Sequence, residues 1–303
     1  MMLEGDPEAG LSLYEHCLRS AAAPRLPVGL HLLFLDRGGK AGLADRLRRL
    51  ALCEGGNIAL NGAALAADPA TAAAEYERLI AAGLVNVRMI EAYLMLLSRA
   101  GNARRIAEIC ASDRLLSAGP LKDVGGESLA EKVQAALLRE EGRARGIESE
   151  QSVRSQRMID NLASVGDPAL DALLRAIQER VAASLAAWAA MDHPLSGLIP
   201  PRFALESWAL ISRGPGFTVP HVHHRGWLTG VYYPAAPEPA GGGGELRVGP
   251  PQAAGSSEGW PSASWVPYAG LLVLMPSYFT HWSVPLAGPG LRTAIAFDAV
   301  PAR

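Results

Sequence analysis

The chain is constrained most by a run of short strand-like segments in its last third. These are ESWALISR (206–213), WLTGVYYP (227–234), ELRV (245–248), LLVLMP (271–276), HWSVP (281–285) and LRTAIAFDAV (291–300). Glycine and proline residues separate them, most densely in the glycine run 241–244. Short strands with turn residues at this spacing are typical of β-sandwiches and jelly rolls. We therefore predict a β domain of one of these types within residues 151–303.

The first part of the chain, residues 1–118, has a different texture and is predicted to be α-helical. Apolar residues recur there at helical spacing, for example Ile90, Leu94 and Leu97. The segments LLFLDRGGKAGLADRL, from Leu32, and LMLLSRAGNARRIAEI, from Leu94, resemble each other, since in both an apolar helix ends at glycine before a second helix. Repeated helix hairpins suggest a tetratricopeptide-like domain. A plain helical domain without true repeats is the alternative.

Two further segments join these parts. Residues 119–150 are predicted to be a polar connector that carries one helix. A long amphipathic helix is expected at about 168–190, with Asp167 as its N-cap and Pro168 at its first position. Helices that come first and strands that follow indicate an α+β chain of two domains.

Composition and charge exclude several classes of protein. The 303 residues are 49% apolar and 19% charged, and the net charge is −2. A net charge this close to zero does not indicate binding to nucleic acid or to an anionic membrane. No segment has the roughly 20 consecutive apolar residues of a membrane span. Cys17, Cys53 and Cys110 lie far apart, which indicates reduced thiols and not a disulfide framework. Because the first residues lack the features of a secretory signal, we predict a soluble cytoplasmic protein.

Histidines are the first candidates for chemistry, because four of the seven lie between 221 and 281. His221 and His223 alternate along a strand-like segment, so their imidazoles are expected to point the same way. His281, at the start of another strand-like run, supplies a third imidazole. Three ligands on one face of a metal ion leave the other face open to substrate and oxygen, as in non-haem iron sites. We predict metal ligation by these three, with hydrogen-bonded structural imidazoles as the alternative.

Arg292 is the cation that the pattern singles out beyond residue 201. It lies in the apolar run LRTAIAF, where an unpaired guanidinium would be costly to bury. Its planar fork suits a carboxylate, which Asp298, Glu206 or a ligand would supply. We therefore expect it to hold an anionic co-substrate.

Three neighbours of these residues have a structural and a functional interpretation. His224 follows His223 and should face the opposite way on a strand, which favours a surface position, while the functional interpretation is substrate binding. Trp227 and Tyr232 are suited to the core of the β domain, as is the adjacent Tyr233. Otherwise Trp227 would contact the substrate, and the hydroxyl of Tyr232 would bind the co-substrate.

Residues from about 152 to 301 resemble the iron(II)- and 2-oxoglutarate-dependent oxygenases, in particular a bacterial subfamily often joined to tetratricopeptide repeats. The matching runs are HVHHRGWLTGVYY (221–233), MPSYFTH (275–281) and RTAIAFD (292–298). The resemblance implies a double-stranded β-helix (jelly roll) that holds Fe(II) through His221 and His281. It also implies that Arg292 binds the distal carboxylate of 2-oxoglutarate, and that O2 is used to oxidise a substrate C–H bond, with no catalytic residue beyond the metal centre.

Two positions depart from the pattern of the wider superfamily. His223 stands where an Asp or Glu ligand is widespread, so a three-histidine site carries one negative charge fewer and should bind Fe(II) somewhat less tightly. Ala294 stands where many relatives have a hydroxyl residue. Tyr232 or Tyr278 would then supply the missing hydrogen bond to the co-substrate.

Two other classes of function stay open. One is a cupin-like dioxygenase with a three-histidine iron and no 2-oxo acid, in which Arg292 would pair with Asp298. The other is a non-catalytic binding module. For an oxygenase, the substrate is a peptide or protein bound by the helical repeats, or a small molecule. A homo-oligomer is compatible with the sequence.

Overall fold

The computed structural model describes residue 42 and residues 69–81, 83, 85–121, 128–146, 153–236 and 243–302. The chain divides between Ile106 and Ala107 into two compact units. This division falls before residue 118, the predicted end of the helical domain. Cys17, Cys53 and, apart from residue 42, the similar segment from Leu32 lie outside the described residues, so the tetratricopeptide interpretation stays a prediction.

The described part of the first unit is helical, as predicted. It contains α1 (Pro69–Ala81), α2 (Val87–Arg99) and the start of α3 (Ala103–Cys110). Asn86 is the N-cap of α2: its backbone is extended, and its side-chain oxygen accepts a hydrogen bond from the N–H of Met89. Within the part of the chain that the structure describes, no helix is both long and apolar enough to span a membrane.

The described residues of the second unit form three further α-helices and twelve strands. The helices are α4 (Ser112–Leu115), α5 (Leu129–Glu140) and α6 (Pro168–Ala189). The strands are β1 (Ser117–Pro120), β2 (Arg145–Gly146), β3 (Val153–Arg154), β4 (Arg157–Ile159), β5 (Phe203–Arg213), β6 (Phe217–Thr218), β7 (Leu228–Ala235), β8 (Leu246–Val248), β9 (Ala263–Trp265), β10 (Leu271–Pro276), β11 (His281–Ser283) and β12 (Leu291–Pro301).

The described strands form three antiparallel sheets. The largest has seven strands in the order β1-β10-β7-β12-β5-β4-β2, and two smaller ones have the orders β11-β8-β9 and β3-β6. All six strand-like runs of the sequence are strands of these sheets, and the combination of helices with a large antiparallel sheet agrees with the predicted α+β class. The strands that the sequence did not indicate are two to four residues long, too short for a recognisable alternation.

Helices α5 and α6 cover one face of the seven-stranded sheet. Asp167 caps α6 through a 2.8 Å hydrogen bond from the N–H of Ala169, and Pro168 begins the helix, as predicted. Helix α5 lies in the segment predicted as a connector, yet it buries Val133 and Leu137 completely against the sheet. This segment therefore contributes to the core of the second unit.

Strand alternation separates the two faces of the large sheet. On β12, Ile295 and Phe297 belong to the core beneath the helices. Successive side chains of a strand point to opposite faces, so Arg292, Ala294 and Asp298 project to the face away from the helices. That face carries the candidate site.

Candidate metal and co-substrate site

The three predicted metal ligands come together. Nitrogen atoms of His221, His223 and His281 lie within 4.8 Å of one another, and the Nε2 atoms of His221 and His223 are 3.2 Å apart. The ring centroids are separated by 4.4 to 5.1 Å. One metal ion can therefore be reached by all three imidazoles.

Backbone hydrogen bonds place these histidines. The N–H groups of His221 and His281 each donate to the other's carbonyl oxygen, at 3.1 and 3.0 Å, in an isolated antiparallel bridge. The N–H of His223 donates to the carbonyl oxygen of Ser277 at 3.0 Å. The HxH segment is not a regular strand, contrary to expectation, because only His221 is in a bridge and residues 222–226 lie outside the strands. The imidazoles converge because both residues are tied to the segment around His281.

Each ligand nitrogen is oriented by a bond at the other side of its ring. The Nδ1 atom of His221 lies 2.7 Å from the carbonyl oxygen of Val219, and that of His281 lies 3.0 Å from the carbonyl oxygen of Phe279. Because a carbonyl oxygen only accepts, Nδ1 must carry the proton in both rings, and Nε2 keeps its lone pair. The Nε2 atoms of His221 and His223 lie 3.2 Å apart, so a metal ion bound by one of them is within reach of the other, and this donor set fits a metal ion.

Burial keeps these imidazoles neutral. It lowers the pKa of His221 to about 4, with a further contribution from neighbouring His223. Burial also lowers the pKa of His281 well below its ordinary value, and the two other imidazoles add to the effect. Neutral imidazole is the form that binds metal, so these two ligands need not lose a proton at neutral pH.

Arg292 is buried on the same face without a carboxylate partner among the described residues. Its guanidinium donates to the carbonyl oxygens of Gly216 (2.6 Å), Gly244 (3.1 Å) and Val284 (3.3 Å), and it lies 3.4 Å from the hydroxyl of Ser283. The side chain is 3% exposed. Its positive charge is thus surrounded by neutral acceptors.

The two carboxylates that the sequence offered to Arg292 are engaged elsewhere. Asp298 lies 2.7 Å from Nδ1 of His223, and Glu206 accepts a 2.8 Å bond from Arg225. Burying a guanidinium without an anion costs free energy. With both carboxylates engaged elsewhere, the placement of Arg292 favours the third candidate partner, an anionic ligand.

The two adjacent tyrosines of β7 face opposite ways. Tyr232 lies in the core beneath the helices, in register with Leu272 and Ile295, which places its ring on the face away from Arg292. Tyr233 is on the other face and is close enough to Arg292 for the guanidinium to oppose the burial that raises its pKa to about 12. The Tyr233 side chain is buried. This placement favours Tyr233 over the predicted Tyr232 as a contact for the co-substrate.

The remaining predicted residues lie away from the ligand nitrogens. Tyr278 is buried, and its hydroxyl donates to the carbonyl oxygen of Ile109 at 3.1 Å, which makes it a packing residue. Trp227 is buried and lines a small cavity with Tyr278 and His193. His224 is exposed beside His223, as its alternation suggested. The placement of Tyr278 and Trp227 does not favour their predicted roles.

Three residues around His223 were not assigned to the metal site from the sequence. Asp298 and the hydroxyl of Thr229 lie 2.7 and 3.2 Å from Nδ1 of His223. The ring of Trp208 stacks on that imidazole, with centroids 5.6 Å apart and planes inclined by 22°. The sequence pattern could have indicated them. All three alternate with core residues along β5, β7 and β12, which places them on the same face of the sheet as Arg292.

Comparison with known proteins finds a family match over part of the chain. Residues 206–298 match the family described as "Putative 2OG-Fe(II) oxygenase", and the matched segment contains His221, His281 and Arg292. Over these residues the chain is similar to the 2OG-Fe(II) oxygenases. The protein is therefore an oxidoreductase that uses iron(II), 2-oxoglutarate and O2.

Solved structures similar to this 2OG-Fe(II) oxygenase include three with low sequence identity. A prolyl-4-hydroxylase from Pseudomonas putida is 16% identical, with 65% of this chain and 100% of that chain covered and a TM-score of 0.46. A prolyl hydroxylase from Trichoplax adhaerens, in complex with a peptide fragment of the hypoxia inducible factor oxygen degradation domain, is 14% identical (67% and 91% covered, TM-score 0.44). HygX from Streptomyces hygroscopicus, with nickel and 2-oxoglutarate bound, is 14% identical (63% and 85% covered, TM-score 0.39). None of the curated proteins matches the chain.

Proposed function

We propose that His221, His223 and His281 bind the iron(II), and that Arg292 and Tyr233 bind the distal carboxylate of 2-oxoglutarate. The site would lie between the seven-stranded and three-stranded sheets of a double-stranded β-helix. The observation that carries the proposal is the convergence of three imidazoles whose ligand atoms lie within 4.8 Å of one another.

The metal half of the proposal is supported by the state of the imidazoles. Nδ1 of His221 and of His281 is held by a backbone carbonyl, and burial keeps both rings neutral. When bound, iron(II) supplies the redox chemistry that couples O2 and 2-oxoglutarate to oxidation of a C–H bond. The protein contributes ligand geometry, and the stacked ring of Trp208 shields one side of His223 from water.

The co-substrate half is supported by unmatched charge. Arg292 is buried with neutral acceptors around it, and the hydroxyl of Tyr233 shares its face of the sheet. A carboxylate at this position would neutralise the guanidinium and accept a bond from the phenol. Tyr233 would also replace the hydroxyl that is absent at Ala294.

The cupin-like alternative is less well supported. It requires Arg292 to be neutralised by Asp298, but Asp298 is bonded to His223. A non-catalytic binding module does not account for the convergent imidazoles or for the buried guanidinium. Both observations favour the oxygenase that uses 2-oxoglutarate.

The primary reaction that we propose is hydroxylation of an unactivated C–H bond in a peptide, a protein or a small organic molecule. The exposed side chains of His224 and Arg225 follow His223 directly. They place polar contacts for such a substrate at the rim of the metal site. The helical unit, proposed as tetratricopeptide-like, is the candidate binding surface for a peptide.

An anaerobic titration with Fe(II) and 2-oxoglutarate tests the proposal. A visible charge-transfer band that saturates at one equivalent of iron is expected, because 2-oxoglutarate chelates the metal through its 2-oxo and C1 carboxylate groups. Iron binding without the band would support the cupin-like alternative. Absence of stoichiometric iron binding would overturn the assignment of the three histidines.

A further inference from the structure

Asp298 is a buried carboxylate that is bonded to a proposed metal ligand. It is 6% exposed, and its Oδ1 lies 2.7 Å from Nδ1 of His223. In the described parts of the chain it has no lysine or arginine partner, and its side-chain hydrogen bond is to His223. A carboxylate buried in this way needs a strong hydrogen-bond donor, and the imidazole N–H provides it.

The surrounding residues hold this pair in place. The hydroxyl of Thr229 donates to the carbonyl oxygen of Phe297 at 3.1 Å, which leaves its lone pair to accept from His223 as a weaker second contact. The absence of a side chain at Gly226 lets Asp298 lie close to the backbone of the segment that follows His223, since a Cβ atom at Gly226 would lie 3.1 Å from Cβ of Asp298. Strand pairing sets Asp298 directly opposite Thr229. The carboxylate is thus aimed at the imidazole by two strands.

The three ligands differ in what their Nδ1 atoms contact. Those of His221 and His281 are bonded to neutral carbonyl oxygens, whereas that of His223 is bonded to a carboxylate. His223 also occupies the sequence position at which the wider superfamily has an acidic ligand. The negative charge that an acidic ligand would have at position 223 is therefore carried by Asp298, which is hydrogen-bonded to His223.

We propose that Asp298 is a positioning residue that makes His223 an anionic ligand in effect, so that the three-histidine site keeps the charge of a site with two histidines and a carboxylate. The proposal rests on metal binding by the three histidines, as proposed above. A carboxylate that accepts the Nδ1 proton fixes the ring and raises the basicity of Nε2, and loss of such a partner costs about 10- to 100-fold in metal affinity.

The test is the affinity of the full chain for Co(II), followed by its visible absorption without 2-oxoglutarate. Asp298→Asn retains the size of the side chain and an acceptor oxygen but removes the charge. We expect it to weaken Co(II) binding by about 10- to 100-fold. Equal affinity in this variant and the wild type would overturn the role of Asp298, whereas failure of the wild type to bind Co(II) would overturn the three-histidine site itself.

Glu206→Gln is the matched control. Glu206 is paired in register with Asp298 on the neighbouring strand, but it is bonded to exposed Arg225. Removal of its charge should change Co(II) affinity by less than about 2-fold. If both variants lose affinity equally, the effect comes from the general field of the sheet and the proposal fails.

A second comparison separates charge donation from a purely structural role. In the His223→Asp background the ligand itself is acidic, and a second carboxylate beside it would repel. His223→Asp/Asp298→Asn should therefore bind Co(II) more tightly than His223→Asp, which reverses the sign of the effect seen in the wild type. If Asp298→Asn weakens binding in both backgrounds, Asp298 only supports the fold.

Discussion

His221 and His281 donate backbone hydrogen bonds to each other, with N···O distances of 3.1 and 3.0 Å. Two proposed ligands that are distant in the sequence are thereby joined by the main chain. The backbone bridge and the bonds at Nδ1 orient both rings. Such preorganisation reduces the cost of assembling the site when iron binds.

His281→Ala removes one ligand and retains this backbone bridge. We expect the variant to fold but to lose succinate formation from 2-oxoglutarate, since two imidazoles bind iron(II) too weakly. Iron content and succinate are measured on the purified protein, and His224→Ala serves as the control for iron content, because His224 is exposed and is not one of the three proposed ligands. Full activity in His281→Ala would contradict the metal assignment.

The opposite faces of Tyr232 and Tyr233 provide a matched pair of variants. Tyr233→Phe should weaken 2-oxoglutarate binding to the iron-loaded protein by roughly 3- to 10-fold, the usual effect of one hydrogen bond. Tyr232→Phe should leave it unchanged, because that ring lies beneath the helices. Titration of the charge-transfer band reports both affinities. A larger loss in Tyr232→Phe would reverse the assignment.

Arg292→Lys keeps the positive charge but loses the planar fork. Binding of 2-oxoglutarate should weaken about 10-fold or more, because a charged, bidentate contact is lost. Arg292→Ala should weaken it further and also lower the free energy of unfolding, since the carbonyls of Gly216 and Gly244 lose their donor. Iron binding without co-substrate is expected to persist in Arg292→Lys. Unaltered 2-oxoglutarate affinity in both variants would favour the cupin-like alternative.

Gly230→Ala should destabilise the fold without touching the site. A Cβ atom at Gly230 would lie 2.3 Å from Cζ of Phe297, which is fully buried. Overpacking of this kind costs about 1–3 kcal/mol. Gly146→Ala is the control, because nothing lies within 4 Å of its Cβ position. Chemical denaturation measures both, and equal stabilities would show that β7 shifts at no cost.

Burial of Cys110 predicts a dependence of stability on alkaline pH. Burial raises the pKa of this thiol from 9.0 to about 12. Above pH 9 the unfolded thiol ionises while the folded one does not, so the contribution of Cys110 is complete below pH 9 and is lost as the pH rises towards 12. The free energy of unfolding of the wild type should therefore fall more steeply above pH 9 than that of Cys110→Ala, by at most about 1.4 kcal/mol per pH unit. Parallel pH profiles would contradict this.

Local patterns in the sequence predicted the main strands, helix α6 with its Asp167 cap, and the three histidines that converge. They succeeded because alternation, capping and turn residues act over a few neighbouring positions. His221, His223 and His281 were recognisable since their residue type and spacing already suggest ligation. The short strands and the core role of helix α5 depend on distant partners and were missed.

The pairing of side chains across strands was decided by the tertiary structure alone. Asp298 was an equal candidate for Arg292 until the packing of β7 against β12 set it beside His223. Which of Tyr232 and Tyr233 faces Arg292 depends on which face of β7 the helices cover, and that is a property of the assembled core. The sequence names the chemical groups of this oxygenase, because chemistry belongs to residue types. Only folding assigns their partners, because hydrogen bonds form between atoms that the folded chain brings within reach.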